Sequence, residues 1–196
     1  MKEFFRTWVL GFVSPSRFVE SLRGKPAPGW GIAAQSLRAV LDGLLLYLPL
    51  VLLGRRPSFP SWFTILPTEQ YYAGAILLAP IFLICQWLLL SAMVHVVLRL
   101  LGRRSDIDQI LNLTGMIALV IGAFLLAWDW IFIALNLGGA ILLGISHLVV
   151  DLWAVALTVT GFKRLLNISV PLALALTLLW LAVGVPLAMV FMRPPV

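Results

Sequence analysis

Two ionisable residues, His147 and Asp151, lie four positions apart inside a long apolar segment. On a helix this spacing puts both side chains on one face, and Thr158 lies on the same face two turns further on. An imidazole and a carboxylate in that arrangement can share a proton or bind a cation. The pattern therefore allows either a proton or cation relay or a packing seam, in which the small residues Ala140 and Gly144 let two helices approach closely.

No metal centre is predicted at this pair, because two ligands are too few for a tetrahedral zinc site. His95 could supply a third ligand, but nothing in the sequence brings it near. The sequence contains no hydrolase elbow, P-loop, dinucleotide fingerprint or zinc-protease helix. We therefore predict no catalytic residues, no enzyme activity and no cofactor.

Three further polar residues lie in or at the ends of apolar segments, namely Gln86, His95 and Asn112. Gln86 and His95 lie about 180° apart on an ideal helix, so they do not form one site. We expect Gln86 to hydrogen-bond to another helix and His95 to bond to a neighbouring loop near the membrane interface. Asn112 belongs to a small, polar side of its helix, which we expect to meet the stripe that carries His147 and Asp151.

The elements that position these residues are predicted to be membrane-spanning helices. Apolar residues make up 62% of the 196 positions and charged residues only 11%, whereas charged residues usually form about a quarter of a soluble chain. A spanning helix needs about 20 mainly apolar residues, and the chain offers five such stretches. We predict an all-α integral membrane protein with spans at about 37–53, 73–98, 108–127, 140–161 and 169–192.

The cationic residues predict which way the spans thread the membrane, because Lys and Arg concentrate in cytoplasmic connections. Eleven of the fourteen lie in the N-terminal arm and in the second and fourth connections, at Lys2, Arg6, Arg17, Arg23, Lys25, Arg38, Arg99, Arg103, Arg104, Lys163 and Arg164. The N-terminus is therefore predicted to be cytoplasmic and the C-terminus outside, in a bacterial-type inner membrane. Arg55 and Arg56 go against this bias. The cations do not form one stripe, so anionic lipid headgroups are predicted as partners and nucleic acid is not.

Residues 1–35 are predicted to form a cytoplasmic or interfacial arm, and 36–196 the five-helix domain. Within the arm, residues 3–12 have aromatic residues at helical spacing, which predicts a short helix with its aromatic face toward the acyl chains. A second short helix is predicted from Ser14-Pro15 to about Leu22. Ile131–Leu137 is predicted to be an interfacial or re-entrant piece, divided from the next span by Gly138 and Gly139. The predicted interfacial anchors are Phe4, Phe5, Trp8, Trp30, Trp128, Asp129 and Trp130.

The basic turn after the second span, formed by Arg99, Gly102, Arg103 and Arg104, belongs to a longer pattern. The stretch from His95 through this turn and Ser105 to Asn112-Leu113 resembles the signature region of the Yip family. The arm is similar to prokaryotic members of that family in its helix start, Ser14-Pro15-Ser16-Arg17-Phe18, and in Pro28-Gly29-Trp30.

Yip proteins are five-span membrane proteins whose eukaryotic members interact with Rab/Ypt GTPases. The resemblance implies five spans, a cytoplasmic N-terminus, association with other membrane proteins and no catalytic residues. The turn here has Gly102-Arg103 where the family commonly has two glycines, and GTPase binding is not carried over.

Two functions are consistent with these observations. The leading hypothesis is a Yip-like interaction or membrane-organising subunit that binds other membrane proteins or a second copy of itself. The alternative is a small transporter or channel component that moves protons, cations or a small solute along a polar seam at His147 and Asp151.

Overall fold

Helices account for all the regular structure in the described part of the chain, which comprises residues 1–25, 27–60, 66–137 and 139–195 of this computed structural model. Five helical segments are long and apolar enough to cross a membrane. We number them span one to span five, at Gly29–Leu52, Thr68–Leu100, Ile107–Leu135, Ala140–Leu165 and Val170–Phe191. Two shorter helices precede them, α1 at Lys2–Val13 and α2 at Pro15–Leu22. The predicted all-α architecture with five spans is confirmed.

The spans differ most from the predicted ones at two boundaries. Span one begins at Gly29, so the residues just before the predicted limit of the arm already belong to the bundle. Span three continues without a break to Leu135 and ends at Asn136, whose φ of 50° is left-handed. Ile131–Leu137 is therefore mostly the last turns of span three, because no helix breaker separates it from Trp130. Gly138, the predicted break, lies outside the described residues, as does Trp62 of the first loop.

Four of the spans contact one another in a closed ring. Span two contacts span three, span three contacts span four, span four contacts span five, and span five returns to span two. Span one packs against spans two and three. Glycines allow its close approach to span three, since a Cβ on Gly31 would meet the backbone at Leu111, and one on Gly115 would meet the backbone of Gly31.

The connections divide between two ends of the bundle. At one end, which we call the basic end, Arg23 donates to the Arg164 carbonyl over 2.7 Å, and both residues border one cavity with Asp106. At the opposite end, Tyr72 donates its hydroxyl proton to the Pro194 carbonyl over 2.7 Å. The arm and the second and fourth connections therefore lie together, as the distribution of cations predicts.

The arm is a helical hairpin packed into the side of the bundle. Phe18 and Val19 of α2 are fully buried. Trp8 of α1 donates its indole N–H to the Leu119 carbonyl over 3.4 Å. Leu119 lies about 18 Å along span three from Ile107, the first residue of that span. The ring centroid of Phe12 lies 5.8 Å from that of Trp153 in span four. The inner aromatic face of α1 thus contacts protein rather than acyl chains, because spans three and four offer it an apolar surface.

The open end of this hairpin lies at the first turn of α1. Phe5 of α1 is 49% exposed, and its contact with lipid stays a prediction. At the same end, Lys25 lies 2.9 Å from the Glu3 carboxylate. The Lys25 ammonium donates a hydrogen bond to this carboxylate and holds the pKa of the Glu3 carboxyl below its ordinary value. The ring centroids of Phe4 and Trp30 are 5.5 Å apart at the same end.

Prolines inside the spans leave backbone carbonyls that must find donors elsewhere. Pro49 has no N–H for the Leu45 carbonyl, and the indole N–H of Trp130 donates to that carbonyl over 2.7 Å. The turn before Pro49, Asp42–Tyr47, is a π-helix. Pro80 lies within the long helix of span two, and Gly43 approaches the Ile76 carbonyl that this proline leaves free.

Candidate functional site inside the helix bundle

The first intramembrane pair joins spans three and four. His147 Nε2 lies 2.9 Å from Asp129 Oδ1, and Asp129 is only 7% exposed. One residue earlier on each helix, the indole N–H of Trp128 donates to Ser146 Oγ over 2.8 Å. Asp129 is predicted to be a headgroup anchor between two tryptophans, but it is buried, because span three continues past it and span four packs over it.

The structure does not bring His147 and Asp151 together as a hydrogen-bonded pair. The ring of His147 turns to Asp129, whereas Asp151 is exposed and has no hydrogen-bond partner among the described residues. Thr158 donates its hydroxyl proton to the Ala154 carbonyl of its own helix over 2.8 Å. The predicted stripe is therefore one face by geometry, but a neighbouring helix provides the better partner for the imidazole.

The second pair, Arg38 and Asp42, lies deep in span one. Arg38 Nε is 3.4 Å from Asp42 Oδ2, and Arg38 also donates to the Ala118 carbonyl of span three over 3.1 Å. Asp42 is 5% exposed and lies about 20 Å along the helix from Gly29. The four-residue spacing allows this pair on one helix face. The pair lies well inside span one because this span begins at Gly29, and the small Gly122 leaves room for the guanidinium.

These pairs form one buried polar region. Asp42 and Asp129 belong to the same region, in which Asp42 pairs with Arg38 and Asp129 bonds to His147. Tyr47, next to them, is fully buried, and its hydroxyl oxygen has no hydrogen-bond partner. Tyr47 and the buried Gln35 are residues that sequence reasoning did not single out. Each stands alone in an apolar stretch, and an isolated polar residue gives no pattern to detect.

The remaining predicted polar residues have separate partners. Gln86 donates to the Gly184 carbonyl of span five over 2.7 Å, which is the contact to another helix that the sequence predicts. His95 Nδ1 lies 2.9 Å from Ser105 Oγ in the following loop, also as expected.

Asn112 differs from its prediction. Its side-chain oxygen accepts a hydrogen bond from the Gly31 backbone N–H over 2.7 Å, so the small, polar side of span three meets span one and not the stripe of span four. Span one occupies that side because glycines on both helices allow their backbones to touch.

The basic turn closes span two. Gly102 has a φ of 68°, a left-handed conformation that glycine adopts without steric cost, and the Arg103 N–H donates to the Leu98 carbonyl over 2.9 Å. Arg103 and Arg104 are exposed at the basic end, as is Arg99 one turn earlier. Asp106 then caps span three by accepting from the N–H groups of Asp108 and Gln109.

Metal binding has no support in the described residues, which contain no cluster of three His, Cys, Asp or Glu side chains able to hold an ion. Gln86, Asn112 and His147 instead bond to another helix, His95 to a loop and Thr158 to its own helix, while Asp151 is exposed. This arrangement stabilises helix packing and leaves one acid available to an outside partner.

Fold and polar interior together define the class as an all-α integral membrane protein with five spans. A comparison with known families shows that the Yip1 domain matches residues 10–192, nearly the whole chain. The chain belongs to the Yip1 domain family, which confirms the resemblance seen in the basic turn and the arm. Comparisons with curated proteins and with solved structures give no match.

Proposed function

We propose that this Yip1 domain protein is an interaction or membrane-organising subunit with no catalysis of its own. Family membership suggests a membrane protein involved in trafficking interactions. The observation that carries the proposal is Asp151, whose carboxyl group is exposed midway along span four and has no hydrogen-bond partner among the described residues.

The position of Asp151 makes an unpartnered carboxyl group unfavourable. It lies about 17 Å along the helix from Ala140 and about 21 Å from Leu165, so both ends of the hydrocarbon layer are distant. Its neighbours Leu148 and Leu152 are 57% and 71% exposed, which leaves this face to lipid. A charged acid at the centre of a span costs about 2.5–3.5 kcal/mol on insertion scales. A partner helix that donates a hydrogen bond or carries a cation would remove much of that cost.

The shape of the same face suits a helix. Gly144 lies two turns from Asp151, and no heavy atom lies within 4 Å of where a Cβ on Gly144 would be. Small residues let two helices approach closely enough for dispersion contacts and polar bonds to form. We therefore infer that span four binds a helix of another membrane protein, with Asp151 as the polar contact.

Co-purification from native membranes in mild detergent tests the proposal. The wild-type chain should retain a specific membrane protein, and Asp151→Leu should weaken its recovery about 3- to 20-fold, since interhelical polar contacts contribute about 0.6–1.7 kcal/mol. Asp151→Asn should retain part of the recovery because an amide still hydrogen-bonds. Glu69→Leu, at an exposed acid before the long helix of span two, is the matched control. Two results would overturn the proposal. One is that folded Asp151→Leu retains the partner as well as the wild type does, and the other is that the wild-type chain purifies without any bound membrane protein.

Transport is the alternative function, using His147 and Asp151 to move protons, cations or a small solute. It has less support, since His147 is bonded to Asp129 and the two residues do not form a continuous seam. Flux in proteoliposomes separates the two functions. A pH- or cation-dependent flux abolished by Asp151→Asn in a folded protein would favour transport.

We also propose the orientation of the bundle. With the basic end in the cytoplasm, the exposed Arg103 and Arg104 would reach anionic headgroups of the inner leaflet. The N-terminus would then be cytoplasmic and the C-terminus outside, in a bacterial-type inner membrane.

A further inference from the structure

A cavity of about 240 Å³ lies among the spans, and all five contribute to its lining. Span one contributes Gln35 and Arg38, and span four contributes Thr158. The residues of the proposed partner contact and of the Asp129–His147 pair do not line it. The cavity therefore shares no residue with the site assigned above, although Ala154 and Thr158, further along the same face of span four, line it.

The amide of Gln35 carries an unmet acceptor at this cavity. Gln35 is 2% exposed, and its Nε2 donates to the Leu83 carbonyl over 2.9 Å, which fixes which way the amide points. Its Oε1 is buried without a donor. Leaving a buried polar atom without a partner is unfavourable. A ligand in the cavity that donates a hydrogen bond to this oxygen would remove that cost.

The other polar groups of the lining are mostly acceptors as well. Thr158 and Thr177 donate their hydroxyl protons to carbonyls of their own helices, over 2.8 Å each. Their hydroxyl oxygens can therefore only accept a hydrogen bond from a ligand. Arg38, one turn after Gln35, carries donors, and its Nη2 group has no hydrogen bond in the described part of the chain. Gln86 and Trp180 also line the cavity and carry N–H groups. The cavity thus presents several acceptors and a few donors, of which Arg38 lies next to Gln35 on span one.

This inventory selects the chemistry of the occupant. An anion gains little, because the charge of Arg38 is already balanced by Asp42 and the neighbouring oxygens repel it. A metal cation lacks a carboxylate among the described lining residues. A hydroxyl group satisfies both needs, because it can donate to Gln35 Oε1 and accept from Arg38.

The rest of the lining and its opening suit a lipid. Leu90, Ile117 and Leu181 line the cavity, and an apolar wall of this kind favours hydrocarbon over water. Val185 also lines it and remains 49% exposed, so the cavity opens beside span five toward the bilayer. We propose that the cavity binds a neutral lipid through a hydroxyl group held between Gln35 and Arg38, with the hydrocarbon chain extending toward that opening.

Photolabelling of the purified full-length protein in nanodiscs tests this assignment. The probe is a long-chain primary alcohol carrying a diazirine and an alkyne, and it is compared with its methyl ether and with the corresponding carboxylic acid. We expect saturable labelling by the alcohol on spans four and five, and about 5- to 10-fold less by the ether, which cannot donate. Equal labelling by alcohol and ether, preferential labelling by the acid, or no saturable labelling would overturn the proposal.

Matched variants locate the site. Ala188→Phe fills the cavity and should abolish labelling, whereas Ala156→Phe, on the exposed side of span four, should leave it unchanged. Gln35→Met removes the acceptor and should lower labelling about 5- to 10-fold. Should Gln35→Met fail to fold, the comparison of Ala188→Phe with Ala156→Phe still tests the proposal, and equal labelling of these two variants would overturn it.

The native source of the hydroxyl group is a separate question that the same preparation addresses. Lipids extracted from the purified wild-type protein and from Ala188→Phe are compared by mass spectrometry. A glyceride or an isoprenoid alcohol enriched only with the wild type identifies the source. Equal lipid content in both proteins, whatever the lipid, contradicts occupancy of the cavity.

Discussion

Arg38 and Asp42 are the charged residues of span one, and a backbone carbonyl of span three also bonds to the arginine. The guanidinium bonds to the acid and to the Ala118 carbonyl of span three, so it links two helices as well as balancing a charge. Taking charges out of water is unfavourable, and a pair of them is tolerated only when each remains partnered. The pair therefore matters for stability mainly because the loss of either residue would leave the other as an unpaired buried charge.

Breaking this pair one residue at a time should destabilise the protein strongly. Arg38→Met alone and Asp42→Leu alone should each lower the free energy of unfolding by about 3–5 kcal/mol, because each leaves a buried charge without its partner. The double variant should be less destabilised than the sum of the two. Unfolding in mixed detergent micelles measures all three, and strictly additive losses would show that the residues do not interact.

Residue spacing predicts some of these contacts and not others. Arg38 and Asp42 are one turn apart on the same helix, so their pairing can be predicted from the sequence. Asp129 and His147 lie on different helices, and their pairing depends on the register of the turn between spans three and four. Asp151 was the nearer candidate for His147 in sequence, but a helix neighbour in space provided the better hydrogen bond.

Helix contacts in this bundle depend on where glycine stands. Spans one and three touch through Gly31 and Gly115, whose missing side chains let the backbones meet. Span four carries Gly144 on an open face, where a side chain would meet nothing within 4 Å. Glycines thus have two roles in this bundle. Gly31 and Gly115 form a close contact between two spans of the chain, whereas Gly144 leaves room for a helix of a partner protein.

Adding one methyl group separates these roles. Gly115→Ala should lower the free energy of unfolding by about 1–3 kcal/mol, as overpacking does in a close contact, because the Gly31 backbone cannot move aside easily. Gly144→Ala should leave stability unchanged or slightly raised, because alanine favours the helix. Thermal unfolding of the two purified variants gives the comparison. A larger loss for Gly144→Ala than for Gly115→Ala would contradict the packing described.

The arm shows what helical periodicity can and cannot predict. The spacing of its aromatic residues correctly predicts α1, and the helix start at Ser14-Pro15 correctly predicts α2. It does not predict what covers the aromatic face of α1, because lipid and an apolar groove between helices select the same residues. The bond from Trp8 to the Leu119 carbonyl depends on the shape of spans three and four, which no local pattern contains.

The whole molecule has two chemically different ends. The arm and the second and fourth connections form the basic end, while tyrosines and the C-terminal residues meet at the other, where Arg193 donates to the Pro60 carbonyl over 3.0 Å. Composition and the lengths of apolar stretches are enough to predict five spans, because lipid imposes a minimum length on each helix. The order in which spans pack is not predictable from them, since all five are similarly apolar.

Cysteine labelling in intact cells tests the proposed orientation. In a chain whose single native cysteine is replaced by Cys85→Ala, Arg103→Cys should react only after the membrane is permeabilised. Glu69→Cys, at the opposite end, should react with an impermeant maleimide from outside. The reverse pattern would mean that the basic end faces outward and that the proposed orientation must be abandoned.

Site-specific photocrosslinking in native membranes tests the central claim most directly, namely that the face of span four around Asp151 binds another membrane protein. A photoreactive amino acid at Leu148, which is 57% exposed, should give a discrete adduct with a second membrane protein. That adduct should fall at least several-fold with Asp151→Leu. The same group at Leu88 of span two, 44% exposed, should give lipid adducts. Lipid adducts alone at position 148, or a protein adduct indifferent to Asp151→Leu, would contradict the account.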